Sequence, residues 1–314
     1  MDKSINNEQN TKRDFLERIS RMYYVLEMNQ KEIAEQLDIG RSSVARFLSE
    51  AKQEGVVRFY ITSNIDNLRR SDLENELVTK YKLKDAVVVQ KNGDNMYEMI
   101  VGNYLNSIIP YQGSLGLGLG RTVHKVGKYL HVCDARPDLK IVQMTGSIGR
   151  MENEIPSTSL IQNWAQALNA KPYFLPAPAL VESKKVKEYF LKDKNIESSC
   201  NEIRNIDISI VSIGDVSPDA TILRGNLDPE LTSEMLKKHS VGDILLHFFD
   251  KQGNFSLNHI SDRVLGTEPI DLLRIPTRIA LAYGEEKADA IKGALNGRLV
   301  NILITTDETA KLLL

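Results

Sequence analysis

The sequence predicts an α/β protein in which a small N-terminal winged helix-turn-helix domain precedes a larger, Rossmann-like domain with a mostly parallel sheet. Its 314 residues exceed one typical core of about 100–150 residues, which favours two domains. Apolar residues recur at helical spacing near the N-terminus, whereas short apolar strands alternate with helical stretches from residue 85 onward. We therefore expect a helix-turn-helix domain in residues 1–63, a connecting helix in 64–84 and an α/β domain in 85–314.

The N-terminal segment begins with an amphipathic helix and ends with a strand-like run. Between residues 11 and 28 the apolar side chains fall on one helical face: Phe15, Leu16, Ile19, Met22, Tyr23 and Leu26. Residues 56–62 alternate β-branched and aromatic side chains, which is typical of a strand or wing. The connecting helix is predicted by the spacing of Leu68, Leu73, Leu77 and Tyr81. Two interpretations stay open for it, a dimer seam or packing on its own domain.

The larger domain is predicted from short apolar strands at regular intervals. The predicted strands are Ala86–Val89, Ser114–Leu119, Lys140–Met144, Ile208–Ile213, Ile244–Phe249, Arg278–Ala282 and Val300–Thr305. Helices are predicted between several of them, including 122–130, 158–169 and 286–296. Ligands of such folds bind beyond the carboxyl ends of the strands, so the loops that follow the strands are the place to look for a site.

The segment from Gln30 to Ala51 matches a helix-turn-helix position by position. The residues that would hold its helices together are Ile33, Ala34, Leu37, Ile39, Val44 and Phe47, with a turn near 38–40. The candidate DNA contacts are Gln30, Arg41, Ser42, Ser43 and Arg46. Arginine can donate two hydrogen bonds to guanine, and serine hydroxyls suit phosphates. The alternative is a helical hairpin whose arginines are simply solvated.

A glycine-rich loop at 113–122 follows one predicted strand and abuts a predicted helix. Its backbone N–H groups, with Arg121 and Thr122, suit an anion such as a phosphate. The loop matches neither the Walker pattern nor the dinucleotide GxGxxG spacing. A tight turn without a ligand is the alternative interpretation.

Two further loops are expected at the same edge of the sheet. The loop Thr145–Gly149 follows the strand at 140–144, and Tyr283–Lys287 follows the strand at 278–282. Lys287 could reach an anion as a point charge. The alternative is a solvated lysine, although acidic residues are the usual ones at the start of a helix.

Several motifs, taken in order, resemble the SorC family of sugar-binding bacterial transcriptional regulators. They are the helix-turn-helix, GLGLGRT (116–122), VQMTGSIG (142–149), VGDILLHFFDKQGN (241–254), Ser261–Arg263 and GEEKADAIKGAL (284–295). The resemblance covers nearly the whole chain. It implies an effector domain similar to sugar-phosphate isomerases, a phosphorylated sugar or related metabolite as effector, operator DNA as partner, control of a carbohydrate-utilisation operon, and assembly as a homodimer or homotetramer.

The resemblance also implies the residues that contact the effector. The candidates are Gly118, Gly120, Arg121, Thr122, Thr145, Gly146, Ser147, Asp262, Gly284 and Lys287. Gly120, Arg121, Thr122 and Lys287 would contact the phosphate, and 145–147 and Asp262 would lie near the sugar. Some relatives carry a lysine where this chain has Thr145, and that lysine can form a Schiff base with an aldehyde sugar. We therefore expect reversible hydrogen bonding here.

The remaining residues argue against other classes of protein. No apolar run approaches the roughly 20 residues that cross a bilayer, and the polar start lacks a secretory signal, so a cytoplasmic protein is expected. Cys133 and Cys200 form no CxxC, and the five histidines form no compact metal signature; we expect no metal and no cofactor.

An enzyme resembling sugar-phosphate isomerases or deaminases is the alternative function. The loop at 145–149 lacks the first glycine of a GxSxG nucleophile elbow. Tyr283 and Lys287 have the YxxxK spacing of short-chain dehydrogenases, but the glycine fingerprint of that family is missing. We expect a regulator with no catalytic residues.

Overall fold

The protein is described here by a computed structural model that covers residues 2–57, 68–90, 95–130, 135–148, 156–216 and 238–314, without the side chains of residues 2–11 and of Asn258. The chain forms two compact units, Met1–Ser63 and Asn64–Leu314. No helix in the described ranges is long and apolar enough to cross a membrane.

The described residues of the smaller unit form three helices around one apolar core. They are α1 (Asp2–Tyr24), α2 (Gln30–Leu37) and α3 (Arg41–Gln53). The buried core residues are Ile19, Met22, Ile33, Ala34, Val44 and Leu48, with Phe15, Leu37, Ile39 and Phe47 packed against them. Asn29 caps α2, because its side chain accepts from the N–H groups of Lys31 and Glu32 while Glu32 accepts from the Asn29 N–H. The residues predicted to hold the two helices together therefore form this core.

The turn between α2 and α3 lies at the predicted place, and its left-handed residue is Asp38, not Gly40. Asp38 has the left-handed conformation (φ 52°), and the Ile39 N–H donates to the Ala34 carbonyl over 3.0 Å. Gly40 has φ −69°, which any residue adopts. Aspartate is among the few non-glycine residues that visit the left-handed region routinely. The predicted wing at 56–62 lies outside the described residues from 58 onward.

The larger unit is a parallel sheet with helices on both faces. The sheet order is β1 (Asp85–Val89), β10 (Ile302–Thr306), β9 (Thr277–Leu281), β5 (Ile208–Val211), β2 (Gln112–Leu117), β3 (Asp138–Gln143) and β4 (Lys171–Tyr173), and all neighbours run parallel. The helices are α4 (Ser71–Tyr81), α5 (Met96–Ile108), α6 (Arg121–Gly127), α7 (Ser157–Leu168), α8 (Lys184–Phe190), α9 (Lys194–Arg204), α10 (Asn258–Ser261), α11 (Pro269–Arg274), α12 (Ala288–Asn296) and α13 (Asp307–Leu313). A 3-10 turn, Glu285–Lys287, precedes α12.

Side chains of alternate strand residues enter two separate cores. Val88 and Val211 belong to the core under α4, α9, α12 and α13, whereas Val87 and Ile210 belong to the core under α5, α6 and α7. Strands buried on both faces read as continuous apolar runs, which is why the sequence pattern identified most of them.

One predicted strand is wrong. Residues 244–249 do not join the parallel sheet; they form an antiparallel hairpin of β7 (Gly242–Ile244) and β8 (His247–Phe249), beside β6 (Gly214–Asp215). Leu245 and Leu246 form its two-residue turn with φ values of 54° and 70°. Such turns usually carry Asn-Gly, so two leucines gave no turn signal in the sequence.

The helix predicted as a connection belongs to the larger unit. Leu73 and Leu77 of α4 are buried in the core that also contains Val88. The Glu74 carboxylate accepts from the Val88 N–H over 2.9 Å and pairs with the Arg69 guanidinium. The contacts of this helix agree with the interpretation in which it packs on its own domain.

Candidate functional site

The strand order of the larger unit reverses at the neighbouring strands β2 and β5. From β2 the chain passes to β3 and β4 on one side, then returns to β5 on the other side of β2. The loops that follow β2 and β5 therefore turn in opposite directions. In open α/β sheets ligands bind at such a reversal of strand order.

The glycine loop lies at this reversal, in close contact with the loop after β5. The Gly118 N–H donates to the Ile210 carbonyl over 2.9 Å. Gly120 lies against Ser212 so closely that a side chain at 120 would collide with the serine. In the described part of the chain, the N–H groups of Leu119 and Gly120 have no hydrogen-bond acceptor, and the buried Ser212 hydroxyl has no partner. Polar groups with unused hydrogen-bonding capacity therefore collect at this point.

Two of the predicted cations border the same region. Lys287 donates from Nζ to the Ile213 carbonyl over 3.0 Å, which places its ammonium beside the loop after β5. Arg121 begins α6 directly after Gly120, is exposed, and pairs with no acidic side chain within the described ranges. Thr122 is half-buried at the next position. Contacts thus join Gly120, through the 212–213 loop, to Lys287.

Gly284 positions Lys287 rather than offering a free amide. Its N–H donates to Thr309 Oγ1 over 2.9 Å. Its φ of 120° lies in a region that side chains rarely adopt, and it begins the turn that carries Lys287. The glycine is therefore explained by backbone geometry.

The hairpin contributes an acidic residue that the sequence analysis missed. Asp243 is buried (7% exposed), lies against Gly214, and accepts from the Leu246 N–H over 3.2 Å. Its pKa is raised to about 6, chiefly by burial and to a smaller degree by the Asp215 carboxylate, while the Leu246 N–H and the Lys287 ammonium oppose the rise. An aspartate within an otherwise apolar run was the signal that could have identified it, because strands are poor in aspartate.

The backbone of the loop after β3 is less available to a ligand than predicted. The Gly146 N–H donates to Leu265 O (2.9 Å) and the Ser147 N–H to Ala177 O (2.8 Å), so neither amide is available to a ligand. The Ser147 hydroxyl contacts the Ser157 hydroxyl at 2.8 Å. Thr145 is buried (2% exposed), and its hydroxyl has no partner among the described residues.

No described contact connects Asp262 to the other candidates. Its carboxylate pairs with Lys184 over 3.3 Å, and both side chains are about half exposed or more. Neighbouring Ser261 instead bonds to His247 Nδ1 over 2.9 Å, while Nε2 donates to Thr267 O over 2.8 Å. Burial lowers the pKa of His247 to about 4, so this histidine is a neutral structural residue.

The smaller unit exposes three of the five predicted DNA contacts. Arg41, Ser42 and Arg46 are exposed on α3, whereas Ser43 and Gln30 are half-buried at the starts of α3 and α2. The Arg46 guanidinium lies 5.0 Å from the centre of the Phe47 ring.

The acidic side chains in α3 and at its C-terminal end form ion pairs away from the face that carries the exposed arginines. Lys12 of α1 forms ion pairs with Glu50 and Glu54. The outward face of α3 therefore keeps its positive charge although the chain as a whole carries a net charge of −2.

Metal-ligating residues do not cluster in the described part of the chain: no three His, Cys, Asp or Glu side chains are grouped so that they could hold an ion. Cys200 is buried and reduced, and burial raises the pKa of its thiol.

Comparison with known proteins identifies the class. Residues 66–314 match the family described as "Putative sugar-binding domain". The deoxyribonucleoside regulator of Bacillus subtilis (strain 168) is 31% identical over 301 residues, which cover 94% of this chain and 95% of that protein. The sorbitol operon regulator of Klebsiella pneumoniae is 28% identical over 307 residues, covering 95% and 96%. The crystal structure of full-length SorC from Klebsiella pneumoniae has a TM-score of 0.73 at 25% identity, covering 96% of this chain and 98% of that chain.

The protein is thus a DNA-binding transcriptional regulator with a sugar-binding domain, and not an enzyme. It belongs to the SorC family of sugar-binding regulators. The family resemblance predicted from the sequence motifs is confirmed, as is the α/β fold class.

Proposed function

We propose that this regulator controls a carbohydrate-utilisation operon by binding operator DNA through α3 and a phosphorylated sugar or related metabolite at the carboxyl ends of β2 and β5. The observation that carries the proposal is the meeting of the glycine loop, the Ser212 loop and Lys287 at the point where strand order reverses. The enzyme alternative has no catalytic constellation to support it within the described residues.

The phosphate is assigned to the glycine loop at the reversal of strand order. A phosphate dianion loses water when it enters a cleft, and converging donors with fixed cations are needed to offset that loss. The donors are the unpartnered amides of Leu119 and Gly120 and the free Ser212 hydroxyl. The cations are Arg121 and Lys287. A neutral sugar would leave these groups poorly satisfied.

The sugar is assigned to the other polar groups at this edge of the sheet. Asp243 is an acceptor for hydroxyl groups, and Thr145 keeps an unused hydroxyl after β3. A threonine cannot form a Schiff base, so we propose reversible binding. Asp262 is the weakest of the predicted contacts, because Lys184 is its only described partner.

The proposed working form is a homodimer or homotetramer in the cytoplasm. Two recognition helices on one operator read successive major grooves about 34–36 Å apart, which requires at least two copies of α3. A coupling of about 1–3 kcal/mol between effector and DNA binding would change operator occupancy roughly five- to 150-fold.

Calorimetric titration with phosphorylated monosaccharides and their unphosphorylated counterparts tests the effector proposal. Arg121→Ala and Lys287→Ala should each weaken binding of the phosphorylated sugar by about 1.5–3 kcal/mol, the range for a hydrogen bond to a charged group. Lys171→Ala is the matched control, since Lys171 pairs with Asp138 at the opposite, amino edge of the sheet. Equal affinity for the free sugar, or unchanged affinity in both variants, would contradict the anion site.

A further inference from the structure

The outward face of α3 carries a single apolar side chain. All 13 residues of α3 are described. Its exposed residues are Arg41, Ser42, Ala45, Arg46, Ser49, Lys52 and Gln53. Residues three and four apart are neighbours on a helix, so Ala45 adjoins Arg41, Ser42 and Ser49. Ala45 is therefore one methyl group surrounded by polar and basic side chains.

The position of this methyl group is set by the helix itself. An alanine side chain has no rotamers, so its methyl follows the backbone. The backbone of α3 is anchored by Val44, Leu48 and Ala51, which are all buried on the opposite face. Ala45 is distinguished by its place at the centre of the DNA-contact candidates Arg41, Ser42 and Arg46.

We propose that Ala45 reads the 5-methyl group of one thymine in each operator half-site. The inference rests on the proposed function, in which α3 enters the major groove. In that groove thymine presents a methyl group beside an acceptor oxygen, and small apolar side chains are the usual partners of the methyl. The flanking Arg41 and Ser42 supply donors for the phosphates and acceptor atoms around it.

Thymine-to-uracil replacement isolates this contact, because uracil lacks only the methyl group. The operator is first obtained with the full chain by selection from a random duplex pool, and each thymine is then replaced singly. Wild-type protein should bind about fourfold more weakly at one position per half-site, the effect of one methyl-sized apolar group. Ala45→Gly should lose this difference at the same position. Ser49→Ala, on the same face, should retain it.

The outcomes separate this inference from the proposed function. Selection that yields no preferred operator contradicts DNA reading by the chain. A preferred operator in which no uracil replacement weakens wild-type binding, or a thymine preference that persists in Ala45→Gly, overturns the role of Ala45 alone. Circular dichroism checks that the glycine variant folds. Ala45→Ser, which keeps a β-carbon in the helix, provides a second variant whose thymine-to-uracil ratio should fall below that of the wild type.

Discussion

Arg46 and Arg41 are the two exposed arginines of α3, and their surroundings suit base recognition. Arg46 lies over the Phe47 ring, which restrains its guanidinium without pairing it to an acid. Arg46→Ala and Arg41→Ala should each weaken operator binding by about 1–3 kcal/mol, because a bidentate contact to guanine is lost. Fluorescence anisotropy measures the effect. Arg204→Ala, in the larger unit, serves as the control, and unchanged affinity in both α3 variants would remove these arginines from the reading surface.

Asp243 makes a pH-dependent contribution to stability. Its folded pKa of about 6 lies above the ordinary 3.8, so the fold favours the protonated form. Stability from this group is therefore present below pH 4 and is lost as pH rises through 6. Asp243→Asn removes the charge, and the variant should gain roughly 2–3 kcal/mol relative to wild type between pH 4 and pH 7. Urea unfolding at several pH values measures the difference.

The contribution of His247 to stability changes with pH in the opposite direction. The variant must therefore be compared with the wild type at each pH. The folded pKa of about 4 for His247 lies below the ordinary 6.5, so the contribution of this histidine is lost as pH falls from 6.5 through 4. The two slopes partly cancel in the wild-type protein. A difference between Asp243→Asn and wild type that does not change with pH would contradict the buried, shifted carboxylate.

At the scale of elements, glycines in two different loops have different physical roles. A β-carbon at Gly146 would lie 2.5 Å from the Ala177 and Pro178 carbonyl oxygens, which are backbone atoms and cannot swing away. At Gly40 the nearest atoms are serine hydroxyls 3.7 Å away. The first glycine permits two chain segments to touch, whereas the second only begins α3.

Alanine substitution separates these two roles. Gly146→Ala should destabilise the protein by about 1–3 kcal/mol, as overpacking does in well-packed sites. Gly40→Ala should change stability by no more than about 1 kcal/mol, since its conformation and space both accept a methyl group. Thermal unfolding measures both. Equal, small effects would show that the 145–147 loop yields more readily than its contacts imply.

At the scale of the whole molecule, α4 determines where a fragment that contains only the larger unit can begin. A chain that begins at residue 64 keeps Leu73 and Leu77 in the core and the Glu74 bond to Val88. It should fold and bind effector. A chain that begins at 84 exposes that core and loses roughly 1.5–3 kcal/mol for each buried leucine, so it should be unstable or insoluble. Soluble expression, circular dichroism and calorimetry compare the two fragments; equal stability would contradict a structural role for α4.

The sequence by itself determined the elements whose pattern is local. Helical spacing around Ile33 and Val44 predicted the helix-turn-helix, and continuous apolar runs predicted most strands of the sheet, because residues buried on one face or on both leave a periodic signature. Motif order along the chain predicted the SorC family.

Only the tertiary structure decided what depends on contacts between distant segments. The Leu245–Leu246 turn contains none of the residues typical of turns, so the sequence pattern predicted a single strand there. The structure has a hairpin instead, in which β7 pairs with β6 and β8. Asp243 lies beside Gly214, 29 positions away in the sequence, because that hairpin places it there. Thr145 and Ser212 were left with unused hydroxyls by the packing around them. Hydrophobic periodicity records which face of an element is buried, and it contains no information about which polar groups the fold leaves unpartnered at the edge of the sheet.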